Sequence, residues 1–192
     1  RLEGFDGPLE ATKFESGQSN PTFLLTTPTR KYVLRRKPPG VLLKSAHAVD
    51  REFRVQKALS GTDVPVAKMH HLCEDDSVIG SSFYIMDHVS GRNFNEPTLG
   101  DLNNADRISV MKDMNRVLAA LHDVNIDETG LTDYGPPGHY LERQVGRWSK
   151  QYRASETKPV PAMDRLIDIV TERMPVDDGQ RTLVHGDYRI DN

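Results

Sequence analysis

His185-Gly186-Asp187-Tyr188-Arg189-Ile190-Asp191-Asn192 stands at the end of the chain, directly after the apolar run Thr182-Leu183-Val184. That run reads as a short strand, and the polar cluster as the loop leaving it. Asp187 and Asn192 are separated by four residues. Transfer of a phosphoryl group to a hydroxyl needs a carboxylate to accept the hydroxyl proton. It also needs an oxygen ligand for Mg²⁺ nearby, and one loop carrying Asp187 and Asn192 supplies both. The plainer alternative is a polar turn in which Asp187 caps a backbone group.

Upstream of this loop the pattern is helical. Ile108, Met111, Met114, Leu118 and Leu121 recur every three or four residues, the stripe of one long helix. Leu141, Val145, Trp148 and Tyr152 repeat the pattern, as do Met163, Leu166, Ile167, Val170 and Met174. All three stripes are expected to be buried. Pro136-Pro137-Gly138 and Lys158-Pro159 punctuate the gaps. Farther back, Val89-Ser90-Gly91-Arg92-Asn93 reads as a linker, and the pattern before it changes to strands. Thr22-Phe23-Leu24-Leu25 and Tyr32-Val33-Leu34 flank turn chemistry at Thr26-Thr27-Pro28-Thr29-Arg30, which predicts a hairpin. A helix is expected from Ala46 to Leu59, with Gly61 in the left-handed position after it. Strands are expected at Ala67 to Cys73 and Ser82 to Met86, joined by the acidic Glu74-Asp75-Asp76 turn. The division is thus 1–88 for a β-rich lobe with one helix, 89–95 for a hinge and 96–192 for a helical lobe, incomplete at its C-terminus. The fold class is α+β, and a cleft between lobes suits a ligand.

Two more signals lie in the first lobe. Arg35 ends one strand and Glu52 lies on the next helix. An Arg there can hold phosphates bidentately while pairing with the carboxylate. Arg36 should point to the other face of the strand. The alternative is a surface ion pair of little energetic weight. Ser16-Gly17-Gln18-Ser19-Asn20, between two β segments, lets backbone N–H groups approach phosphate oxygens, although an ordinary hairpin turn explains it as well.

Composition narrows the field. The 192 residues carry 25 Lys and Arg against 28 Asp and Glu, a net charge of −3, which excludes nucleic-acid binding by bulk positive charge. The single cysteine, Cys73, cannot form an internal disulfide, which is compatible with a reducing compartment. No apolar run approaches the length of a membrane span. The expectation is a cytoplasmic or organelle-matrix protein, neither secreted nor transmembrane. Both ends read as cuts in a longer protein, so a removed targeting sequence stays open.

Taken in order, His185-Gly186-Asp187 with Asn192, Arg35, Glu52 and the Ser-Gly turn resemble the aminoglycoside phosphotransferase-like branch of the protein-kinase fold. The match is to H-G-D-x-x-x-x-N, with Gly186 where protein kinases carry Arg. Gly17-Gln18-Ser19-Asn20-Pro21-Thr22-Phe23, the run Tyr32 to Gly40, Asp50-Arg51-Glu52-Phe53 and Phe83-Tyr84-Ile85-Met86 look closer to one subgroup. That subgroup is the phosphotransferase-like domain fused to, or found beside, acyl-CoA dehydrogenases. Arg at position 35 is normal in it.

The resemblance implies a bilobal kinase-like fold that uses ATP and Mg²⁺. It implies Asp187 as catalytic base and Asn192 as Mg²⁺ ligand. It places Arg35, paired with Glu52, on the ATP phosphates, with Ser19 over them. Met86 would stand behind the adenine, while the Asp87 carbonyl and Val89 N–H bond its edge. The implied acceptor is a small-molecule hydroxyl, with a hydroxylated acyl or acyl-CoA compound favoured over an aminoglycoside. From residue 101 onward there are 16 acidic and 12 basic side chains, too small an excess to attract a strongly cationic antibiotic. The rival is a nucleotide- or partner-binding module of a multidomain acyl-CoA dehydrogenase-type protein, without turnover. The family's second metal-binding Asp would lie beyond Asn192, so the 192-residue chain by itself is expected to be inactive.

Weaker features take simpler readings. His70, His71 and Cys73 are adjacent on a strand and point to alternate faces, so structural roles are expected rather than a metal site. Arg143, Arg147 and Lys150 lie opposite the apolar stripe of their helix. A solvated face is the leading reading, and an anion site for a phosphorylated or CoA-linked substrate is the other.

Overall fold

The computed structural model describes residue 5 and residues 7–15, 20–38 and 48–191. Five strands form one antiparallel sheet: β1 Glu10–Lys13, β2 Thr22–Thr26, β3 Lys31–Arg36, β4 Met69–Cys73 and β5 Phe83–Asp87, ordered β1-β2-β3-β5-β4. The expected hairpin is β2–β3. It closes where Thr27 N–H donates to the Arg30 carbonyl and the Thr27 hydroxyl donates to the same oxygen. β1 escapes the sequence reading because Glu-Ala-Thr-Lys carries almost no apolar signal and is fully exposed. Its pairing with β2 along Glu10–Lys13 defines it as a strand.

Helix α1, Val49–Leu59, lies across the sheet. Its Val49 and Phe53 pack with Tyr84 of β5 into one apolar cluster, flanked by Met69, Leu72 and Met86. Gly61, at φ +91°, takes the left-handed conformation expected after the helix.

Residues 88–96 form neither helix nor strand. Beyond them come α2 Asn104–His122, α3 Tyr140–Ser155 and α4 Pro161–Glu172. The Asn103 side chain caps α2 by accepting from Asp106 N–H at 2.9 Å. A second cluster joins the two parts of the molecule: Leu59 and Val64 meet Leu121 and Val124, with Leu183 packed against them.

Two expectations need correction. The helical stripes are not uniformly buried: Leu121 is 8 % exposed, but Met111 is 51 % and Trp148 59 % exposed. Ile108, Leu141, Leu166 and Val170 are exposed as well. Helical periodicity shows that a helix has an apolar face; it does not say which element covers that face. The second correction concerns Thr182-Leu183-Val184, which is not a strand. A strand exists only through a hydrogen-bonded neighbour. Here Leu183 packs into the second cluster and the Thr182 hydroxyl donates to the His122 carbonyl.

Candidate functional site

The side chains predicted on β3 and α1 meet. Arg35 Nε donates to Glu52 Oε2 at 2.8 Å. Register explains why Arg35 is chosen over Arg36. Arg35 pairs with Tyr84 of β5, on the face covered by α1, whereas Arg36 pairs with Phe83. Arg36 instead donates its Nε to the Lys37 carbonyl at 3.3 Å.

Two residues that sequence reasoning missed complete this contact. The Tyr84 hydroxyl donates to Glu52 Oε2 at 3.0 Å, and Asn20 Nδ2 donates to Glu52 Oε1 at 2.9 Å. Tyr84 is 1 % and Asn20 2 % exposed. Burial, reinforced by the Glu52 charge, pushes the Tyr84 hydroxyl well above the ordinary tyrosine range, so it remains a neutral donor. The signal for Tyr84 was available in the alternation of β5, which sets it opposite Arg35. Asn20 gave none beyond its place in a polar turn. Glu52 is thereby fixed at both oxygens, and Arg35 keeps further N–H donors for another anion.

Met86, on β5, pairs with Val33 and packs against the α1 cluster. Asp87 ends β5. Its backbone N–H donates to the Lys68 carbonyl at 2.9 Å, and its Oδ1 lies 2.7 Å from His70 Nε2. Val89 follows, 71 % exposed. His70 also meets the Tyr32 ring edge-on, with centroids 5.4 Å apart, while His71 lies on the opposite, exposed face. Among the described residues no cluster of three or more His, Cys, Asp or Glu could hold a metal ion.

The His185-Gly186-Asp187 loop is built differently. Gly186 sits at φ +84°, a conformation that side-chain-bearing residues rarely adopt. The Tyr188 hydroxyl donates to the Met114 carbonyl of α2 at 2.8 Å, and the His185 and Tyr188 rings meet edge-on. Burial raises the Tyr188 hydroxyl above its ordinary range, with the Asp113 charge adding to it. Asp187 Oδ1 lies 3.5 Å from Arg189 Nε, and Arg189 Nη2 lies 3.3 Å from Asp191 Oδ2. The Asp187 side chain is 65 % exposed, which leaves its carboxylate accessible to a substrate. Ser19 and Asn192 lie outside the described residues.

Residues 10–192 fit the family model of the phosphotransferase enzyme family. The chain belongs to the phosphotransferase enzyme family. It is 46 % identical over 186 residues to acyl-CoA dehydrogenase family member 10 of Mus musculus, which covers 97 % of this chain and 17 % of that protein. The chain therefore spans about a sixth of that relative. A crystal structure of a candidate aminoglycoside phosphotransferase from Ralstonia eutropha JMP134 superposes with a TM-score of 0.89 at 52 % identity. It covers all of this chain and 56 % of that one. The ternary complex of streptomycin, ATP and APH(2″)-IIa shares the fold, with a TM-score of 0.54 at 18 % identity over 85 % of this chain and 52 % of that one. The bilobal kinase-like α+β fold follows from these matches. No described helix is long and apolar enough to cross a membrane.

Proposed function

We propose that the protein transfers the γ-phosphoryl group of ATP to a hydroxyl of a small molecule. The observation that carries the reading is the Arg35–Glu52 pair, whose carboxylate is held by three separate donors. A guanidinium anchored on one side offers its remaining N–H groups to phosphate oxygens in a fixed orientation. In this reading the nucleotide lies beneath the sheet, with Met86 behind the adenine. The Asp87 carbonyl and Val89 N–H meet the adenine edge, and Ser19 covers the phosphates.

Asp187 accepts the proton as the acceptor oxygen bonds to the γ-phosphorus and the bond to ADP breaks. Its exposure on a loop after the helical region suits that task. Mg²⁺ takes oxygen ligands. The carboxylates of Asp187 and Asp191 give the loop the right donor chemistry. Asn192 would hold the ion together with phosphate oxygens of the nucleotide. When bound, the ion supplies positive charge that offsets the charge of the phosphates.

The favoured acceptor is a hydroxylated acyl or acyl-CoA compound. The second reading is a nucleotide- or partner-binding module without turnover. It is supported by the likeness to relatives named as acyl-CoA dehydrogenase family members. A coupled ADP-release assay on the full-length protein with a panel of hydroxylated acyl-CoAs separates the two. Acceptor-dependent ADP release with a matching gain of one phosphoryl mass on the acceptor is expected. Nucleotide binding with neither signal would favour the module.

A further inference from the structure

On the helical side of the molecule a cavity of about 390 Å³ opens beside the segment Thr182 to Val184. Its size suits a small-molecule site. Four arginines from three regions of the chain line it: Arg51 of α1, Arg143 and Arg147 of α3, and Arg181. Leu131, 2 % exposed, Leu183 and Val184 add apolar wall. One carboxylate, Asp177, also faces the space, and its oxygens already accept from the backbone N–H groups of His139 and Gly179. Those N–H donors hold its carboxyl below the usual carboxylate range.

Three of the guanidiniums are held in place by neutral groups. Arg51 donates to the Tyr134 carbonyl at 2.6 Å and lies over the Tyr134 ring at 4.2 Å. Arg143 donates to the carbonyls of Pro136 and Gly138, and Arg181 to those of Thr132 and Gly135. Carbonyls orient a guanidinium without cancelling its charge, and each Arg has five N–H donors to share. Arg147 makes no hydrogen bond or ion pair among the described residues and is exposed. Helical spacing alone groups Arg143 and Arg147 with Lys150 on one solvated face. The fold adds Arg51 and Arg181 to the first two and leaves Lys150 outside the cavity.

We propose that this cavity binds a phosphate-bearing organic anion through Arg51, Arg143, Arg147 and Arg181, with the apolar wall taking a short hydrocarbon part of the same molecule. Guanidinium forks match phosphate oxygens bidentately, and four of them exceed what one carboxylate can use. A polycation would meet four like charges here against the single carboxylate of Asp177. Val184 lies three residues before Asp187, so the cavity wall and the carboxylate are separated by at most about 10 Å of extended chain. On the phosphotransferase reading, the cavity holds the anionic end of the acceptor while its hydroxyl reaches Asp187.

The test titrates inorganic pyrophosphate, without Mg²⁺, into the full-length protein by calorimetry. Binding is expected to weaken steeply with added salt. It should fall about 10-fold in Arg147→Gln and be abolished in Arg147→Glu. The Arg147-dependent part of the binding should persist in Arg35→Ala, which removes the nucleotide-site contribution, and total binding should be unchanged in Arg165→Glu on α4, outside the cavity. Unaltered far-UV circular dichroism and melting temperature are expected for the Arg147 variants, because that side chain supports nothing else. No binding by the wild-type protein, binding indifferent to Arg147→Glu, or binding lost only in Arg35→Ala would overturn the proposal. The phosphotransferase reading fails separately, if ATP does not bind while pyrophosphate still follows Arg147.

Discussion

Arg35 and Asp187 are set in opposite kinds of structure. Arg35 projects from a central strand onto a helix, and its partner Glu52 is clamped by Tyr84 and Asn20, both almost fully buried. Asp187 lies on a loop after a glycine of positive φ, 65 % exposed, with Arg189 at 3.5 Å. Rigid elements orient the group proposed to grip the nucleotide, while the proposed proton acceptor stays open to a substrate. The contrast has a physical basis. A phosphate clamp gains from preorganisation, because a donor fixed before binding loses little entropy on contact. A general base must reach a hydroxyl that differs from one acceptor to another, and loops serve that need.

Substitutions at the two supports should therefore differ in kind. The largest stability loss is expected for Glu52→Ala. It strips Asn20 and Tyr84 of a buried acceptor and leaves Arg35 without its partner, at about 3 kcal/mol. Urea unfolding would measure it, and a loss as small as that of an exposed loop substitution would dissolve the contrast. Tyr84→Phe removes only one donor to a charged acceptor, so about 1.5 kcal/mol is expected by the same measurement. Gly186→Ala should cost about 1 kcal/mol, because a Cβ there meets no atom within 4 Å and only backbone strain remains. Its effect on turnover should exceed its effect on stability, since the strain displaces Asp187; the reverse order would make the glycine a purely structural device.

The smallest expected effect concerns acid. The hydrogen bond from Arg54 lowers the Asp133 carboxyl below its ordinary value, and this pair ties α1 to the loop before α3. Because the folded-state pKa is depressed, the stabilisation is present above the unfolded carboxylate range, near pH 3.9. It is lost as pH falls through the lower, folded value. Thermal melts between pH 5 and 3 should show a slightly shallower acid decline in Asp133→Asn than in the native protein. Identical profiles would remove this tie from the acid response.

The sequence made some of this legible and not the rest, for reasons tied to particular residues. Arg35 against Arg36 was decidable because strand alternation leaves one of two neighbours on each face. The β2–β3 hairpin was decidable because turn chemistry and apolar runs agree at Thr26 to Arg30. Asn20 and Tyr84 were invisible as a pair, since their meeting at Glu52 depends on the packing of α1 across the sheet. Arg51 and Arg181 stand 130 positions apart in the numbering and share a cavity only through the fold. Trp148 and Met111 carried an apolar periodicity that predicted burial, yet periodicity names a face without naming its cover. Thr182 to Val184 looked like a strand because apolar β-branched runs usually are strands, and only a pairing neighbour could have made it one.

Binding and turnover measured side by side on the full-length protein, in Arg35→Ala, Arg36→Ala and Asp187→Asn, test the proposed division of labour most directly. ATP affinity by isothermal titration should fall at least about 10-fold in Arg35→Ala and stay near the native value in Arg36→Ala. In Asp187→Asn, ATP affinity should also stay near native, while phosphorylated product forms about 10²–10⁴-fold more slowly. Equal losses of affinity in Arg35→Ala and Arg36→Ala, or turnover in Asp187→Asn within a few-fold of the native rate, would contradict it.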